Sequence, residues 1–169
     1  TPQENPPAAK RAADPVRLPE IVVTPTRREA DPFEVPYSVS VFDASRIQGE
    51  RPARQLTDAL GDVPGVMLQK TSYGQSSPFI RGQTGYRTLM LVDGIRLNNS
   101  AFRPGPNQYW SLVDPLAVSR LELVKGPGSV LYGSDAVGGT VNALSTVRDP
   151  RDRGGWERRV YLRFSDAEH

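Results

Sequence analysis

Leu121-Glu122-Leu123-Val124-Lys125-Gly126-Pro127-Gly128-Ser129-Val130-Leu131-Tyr132-Gly133-Ser134-Asp135-Ala136-Val137-Gly138-Gly139-Thr140-Val141-Asn142 is the stretch whose reading decides the fold. It opens with a β-prone apolar run, Leu121 to Val124, and turns sharply at Gly126-Pro127-Gly128. Ser129 to Tyr132 has room for one helical turn, with Pro127 just ahead of it where a proline is tolerated. Gly133, Gly138 and Gly139 then break the chain before a second β-prone run, Thr140 to Leu144. Glycines this dense call for left-handed backbone or close packing of chain on chain. The segment reads as strand, tight turn, short helix, glycine elbow, strand. It does not read as a nucleotide site. Gly128 and Gly133 have the first spacing of a phosphate loop, but Ser134-Asp135 stands where Lys-Ser/Thr is required. Leu131 stands where the third glycine of a dinucleotide fingerprint belongs.

Lys-Gly-Pro-Gly-Ser-Val-Leu-Tyr-Gly-Ser-Asp-Ala-Val-Gly-Gly-Thr-Val-Asn, residues 125–142, resembles the signature of the plug domain of TonB-dependent outer-membrane receptors. Leu60…Pro64-Gly65-Val66, Phe79-Ile80-Arg81-Gly82 and Leu91-Val92-Asp93-Gly94-Ile95-Arg96-Leu97 are similar to further elements of that family. The resemblance covers about residues 18–146. It implies an α+β fold: a small mixed four-stranded β-sheet with short helices and long loops. It also implies a gate for energy-coupled uptake at the outer membrane of a Gram-negative bacterium, with the N-terminus periplasmic. A transporter barrel needs roughly 22 strands of about ten residues, so 169 residues hold the plug without the barrel.

Outward from that stretch, the local signals agree. Ser38 to Phe42 alternates as a strand does. Asp43 or Ser45 can cap a short helix through Ile47. Pro52 to Leu60 reads as a helix stopped at Gly61, with Ala53, Leu56, Ala59, Leu60 and Val63 on one core-facing side. Pro64 to Leu68 returns to extended chain, and Gln69 to Pro78 is polar enough to read as an exposed loop. Leu89 to Leu97 flanks Asp93-Gly94 with two apolar runs, the pattern of a two-residue hairpin. Asp93 is thus a turn residue and not a catalytic acid. Asn98 to Trp110 is a loop carrying Phe102, Tyr109 and Trp110, whose rings either serve recognition or fold back on the core. Asp114-Pro115 caps one more helical turn ahead of a strand from Arg120.

The ends read differently. Residues 1–17 form a Pro/Ala-rich leader with no periodic apolar positions, the composition of a disordered or semi-extended linker, which the resemblance places in the periplasm. Within residues 18–26, Ile21 to Thr24 is a β-branched run held extended between Pro19 and Pro25. It is either the first strand of the domain or, as the resemblance implies, a TonB box: Glu20, Ile21, Val22, Val23 and Thr24 would add a strand to the C-terminal domain of TonB. Residues 27–147 are the plug domain, and 148–169 a charged linker followed by alternation from Trp156 to Phe164 that suits the start of a first barrel strand.

Composition limits the chemistry. Cysteine is absent and His169 is the sole histidine, so thiolate, zinc and histidine-assisted nucleophile sites lack their parts. No catalytic residues, metal site or intrinsic cofactor are expected; Asp58, Asp62, Asp93 and Asp135 each have a turn or cap role. A net charge of +2 gives no footing for nucleic acid. The resemblance further implies that Arg81 faces carboxylates on the receptor's own β-barrel, with Lys125 beside it where many relatives carry arginine. Lysine keeps the charge and loses the bidentate fork. Loop position singles out Tyr73, Gln75, Tyr86, Arg87, Arg103, Asn107, Gln108 and Tyr109 as ligand-facing, and the ligand that the resemblance implies is a small metal chelate: a ferric siderophore, haem or cobalamin. Two other classes fit the same residues: a free-standing ligand-binding module, and an assembly domain that uses Ile21 to Thr24 only to join a complex.

Overall fold

The computed structural model describes residues 24–28, 30–31, 33–50, 53–72, 74–98, 109–146, 160 and 162. Within them a mixed sheet has the order β1-β6-β7-β4-β5, built from β1 (Ser38–Asp43), β6 (Val118–Lys125), β7 (Gly139–Ser145), β4 (Thr88–Val92) and β5 (Ile95–Arg96). A separate hairpin pairs β2 (Val66–Ser72) with β3 (Gln75–Ile80). Four strands of five residues or more match the expected sheet, and the two-residue β5 extends it to five. The β4–β7 pair is parallel and every other pair antiparallel.

Alternation along the central strands puts two different faces on the sheet. Leu121, Leu123, Val141, Ala143 and Met90 face the main core, where Ile47, Leu56, Leu60, Ile80 and Trp110 close over them. Leu89 and Leu91 face the other way, against Ala136 and Tyr132. Glu122, Thr140 and Asn142 alternate with the core-facing residues and are themselves buried. Trp110 is among the largest fully buried side chains, so this ring of the aromatic loop folds inward.

The glycine elbow is the tightest place in the fold. After β6 the chain turns at Gly126, makes the single helical turn α1 (Ser129–Tyr132), and returns as β7. A Cβ at Gly139 would lie 2.6 Å from the Val124 carbonyl oxygen and 2.9 Å from Ile80 Cγ2. At Gly138 it would meet Gln83 Cβ at 2.4 Å. Only hydrogen fits between the β7 start, the β6 end and the end of β3.

Two sequence expectations need correction. Residues 69–78 are not a loop: they form most of the β2–β3 hairpin, with Ser76, Ser77 and Pro78 buried. Polar side chains hid the strands: Gln69 to Ser72 and Gln75 stay exposed, and Ser76 to Pro78 are buried only because the turns at Leu56–Leu60 and Tyr109–Leu112 pack against β3. Residues 56–60, within the span expected to be α-helical, form a 3-10 turn instead. The Asp58 carboxylate accepts from the backbone N–H groups of Arg54 and Gln55 at 3.1 and 3.2 Å, drawing the chain into a tight cap. Pro52, the expected helix start, lies outside the described residues. Asp43 does cap the turn that follows β1, accepting from Arg46 N at 2.9 Å and Ser45 Oγ at 2.8 Å.

Candidate functional site

Arg81 and Lys125 converge on one end of the sheet. The β2–β3 hairpin ends at Ile80, and Arg81 follows with a left-handed φ of 52° while its N–H donates to Gly65 O at 2.8 Å. That bond fixes where the exposed side chain starts. Its guanidinium lies beside Gly126, with Nη1 3.4 Å from where a Cβ would stand. Lys125, the residue before, donates to Pro64 O at 3.2 Å. Neither cation has a carboxylate within ion-pair distance among the described residues. Other cations of the domain do: Arg96 meets Asp135 at 3.0 Å and Lys70 meets Asp58 at 2.7 Å.

Tyr86 and Arg87 sit in the 3-10 turn Gly85–Arg87 that leads into β4. Since β4 starts beside the β7 start, which pairs with the β6 end, these two residues share the sheet end with Arg81 and Lys125. Arg87 is exposed and donates to Gln83 Oε1 at 3.2 Å. Its carbonyl accepts from Val137 N and Gly138 N, which ties the turn to the glycine elbow. Gln75 is a strand residue, not a loop residue: it opens β3 at the hairpin tip, exposed, its Oε1 accepting from Thr71 Oγ1 at 3.0 Å. Tyr109 is half-buried beside Trp110. These residues therefore occupy three places: hairpin tip, turn before β4, and turn at Trp110. Tyr73, Arg103, Asn107 and Gln108 lie outside the described residues.

Of the TonB-box-like residues, Glu20 to Val23 lie outside the described residues, and Thr24 is wholly buried. Its N–H donates to Glu122 Oε2 at 2.8 Å, its carbonyl accepts from Tyr132 OH at 2.7 Å, and its hydroxyl oxygen accepts from Asn142 Nδ2 at 3.1 Å. Arg27 lies over the Tyr132 ring at 5.0 Å and donates to Leu131 O at 3.3 Å. Burial pushes the Tyr132 hydroxyl above the ordinary tyrosine value, against a smaller opposing pull from Arg27. Sequence reasoning missed Glu122 and Asn142. A carboxylate and an amide in otherwise apolar strands were the available signal, since a sheet buries such groups only with partners.

Among the described residues, no group of three or more His, Asp or Glu could hold a metal ion. Fold and site together define a mixed-sheet domain that carries, at one sheet end, two cations without carboxylate partners among the described residues, and that docks Thr24 on the sheet face away from the main core. The chain belongs to the plug-domain family of TonB-dependent receptors: the family model "TonB-dependent Receptor Plug Domain" matches residues 31–140. The chain is 39% identical over 128 residues to the vitamin B12 transporter BtuB of Vibrio vulnificus, which covers 75% of this chain and 20% of that protein. The siderophore receptor PirA from Acinetobacter baumannii matches with a TM-score of 0.53 and 30% identity, covering 64% of this chain and 17% of that one. The ferripyoverdine receptor of Pseudomonas aeruginosa shares the fold at a TM-score of 0.60 and 22% identity, over 77% of this chain and 17% of that one. The chain spans about a fifth of the length of the curated relatives it matches.

Proposed function

We propose that this domain is the gate of an outer-membrane active transporter, enclosed by its receptor's β-barrel and coupled to TonB in the periplasm. The observation that carries the reading is the pair of cations, Arg81 and Lys125, held together at one sheet end without carboxylate partners among the described residues. A planar guanidinium fork is suited to directional pairing with carboxylates, and a surrounding barrel wall would supply them. The role is binding and gating, without catalysis and without a resident cofactor.

The cargo is a small metal chelate: a ferric siderophore, haem or cobalamin. Names of relatives include both a siderophore receptor and a vitamin B12 transporter. Tyr73, Gln75, Tyr86, Arg87, Arg103, Asn107, Gln108 and Tyr109 would meet it, since aromatic rings, amides and guanidinium groups suit a polar, flat-faced ligand. Ligand contact would shift the population in which Glu20 to Thr24 is exposed, and that segment would add a strand to TonB. Purifying the full-length receptor from its native membrane and identifying the bound metal or chromophore tests the cargo. A crosslink from a cysteine placed at Val22 to the TonB C-terminal domain should form on adding that cargo; absence of the crosslink with and without cargo would refute the coupling.

A further inference from the structure

We infer that Glu122, Tyr132 and Asn142 form a three-point clamp on Thr24, and that Asn142 couples this clamp to the Asp93-Gly94 turn between β4 and β5. Every polar group of Thr24 is engaged, each by a side chain from a different element: β6, α1 and β7. The partners lie 98, 108 and 118 residues further along the chain. Glu122 and Asn142 are direct neighbours across the β6–β7 ladder, so the sheet holds them in register as one docking surface. Arg27, three residues on, adds a second attachment at Tyr132 and Leu131.

The strongest of the three points is the carboxylate. Glu122 is fully buried, with Arg120 Nη1 3.8 Å away. Lifting Thr24 would take one backbone donor from this buried carboxylate, and a hydrogen bond to a charged group is worth more than one between neutral groups. Thr24 is thus held to the sheet at three points, and exposing it has to break all three bonds. The coupling runs through both ends of one amide. Asn142 Nδ2 holds Thr24 Oγ1, and Asn142 Oδ1 accepts from Gly94 N at 3.1 Å. A displaced turn at 93–94 would free the amide to rotate and would loosen Thr24 with no direct contact between them. The relevance of this clamp to TonB rests on the reading above; the clamp itself does not.

Hydrogen exchange at the Thr24 amide in the full-length protein tests it. Wild type should protect that amide by at least about a hundredfold over an unstructured peptide. Tyr132→Phe removes one hydroxyl and keeps the ring; it should speed exchange at Thr24 about tenfold while amides of β6 and β7 stay within about twofold. Asp93→Ala should also speed Thr24 exchange, through Gly94 and Asn142, by more than it speeds exchange at amides of β6 and β1, which a loss of overall stability would move equally. Unprotected Thr24 in wild type, or an unchanged rate in Tyr132→Phe, would overturn the clamp, and an unchanged rate in Asp93→Ala would overturn the coupling. These rates involve neither TonB nor cargo. Loosened Thr24 with unaltered crosslinking at Val22 would therefore sink the proposed peptide role and leave the clamp standing.

Discussion

At Gly139 a single added carbon would have to displace backbone. Its Cβ would approach the Val124 carbonyl to 2.6 Å, and a carbonyl held in the β6–β7 ladder cannot swing away as a side-chain tip can. Gly139→Ala should destabilise the domain by about 1–3 kcal/mol, the usual cost of overpacking. Gly74→Ala should be close to neutral, because nothing lies within 4 Å of its added carbon. Urea unfolding of the two variants checks the contrast; equal midpoints would mean the elbow relaxes freely. Asp43 makes a different point about single residues. The N–H of Arg46, helped by the Ser45 hydroxyl, holds its carboxyl below the ordinary value of 3.8. A depressed carboxylate stabilises the fold above its unfolded value, and that contribution disappears as pH falls through the folded one. Asp43→Ala should cost about 1 kcal/mol at neutral pH, as for a lost helix cap, and the gap to wild type should narrow below pH 3.8. Stability measured across the acid range would show it.

The β4–β5 turn shows an element held from outside itself. Asp93 and Gly94 both have positive φ, 50° and 77°, the arrangement of a tight hairpin turn that matches strand twist. The Asp93 carboxylate then accepts from Ser145 N at 2.7 Å and Ser145 Oγ at 2.8 Å, and its N–H donates to Ala143 O. Asp93→Ala loses both side-chain bonds and keeps a left-handed backbone that alanine tolerates poorly, so about 1–3 kcal/mol should go. Asp93→Asn, which keeps one acceptor and accepts left-handed backbone, should fall between alanine and wild type in urea midpoint; a value at or below alanine would mean the Ser145 bonds contribute nothing. That turn was legible in the sequence because Asp-Gly between apolar runs is a local signal, and so were β1, β6 and β7, where alternation or β-branching sits in one run. The β2–β3 hairpin was not. Gln69 and Lys70 are polar and stay exposed in their strand, and Ser76 and Ser77 look solvent-facing until the turns packed against β3 are known. The same limit hid most of the Thr24 clamp: a run of β-branched residues marks an extended segment, but nothing local says it will meet Glu122 and Asn142 about a hundred residues later. Arg81 and Lys125 were legible only through the family likeness, and their convergence only through the folded hairpin.

Among the described residues, Arg81, Arg87 and Lys125 lie at one end of the sheet without a carboxylate within ion-pair distance. The β4, β7 and β6 ends there bring Arg81, Arg87 and Lys125 together, while the opposite end carries the Asp43 cap, the Asp93 turn and the Asp114 cap. This polarity separates two origins for a loss of function. Arg81 is exposed, and the hydrogen bond that positions it comes from its backbone. Lys125 gives one bond to a carbonyl, which a glutamine amide can still give. The double variant Arg81→Gln, Lys125→Gln removes two charges and leaves the domain's own bonds in place, so its unfolding free energy should stay within about 0.5 kcal/mol of wild type, as for surface changes away from special features. In the full-length receptor the same pair should lower cargo uptake severalfold, because the enclosing wall would be left with carboxylates facing neutral amides. Lys125→Arg, which restores the fork, should not lower uptake and should tighten seating, read as slower proteolysis of the domain inside the receptor. Uptake at the wild-type level in the double variant would show that neither charge seats the domain; a drop in the domain's own stability would move their role inside it.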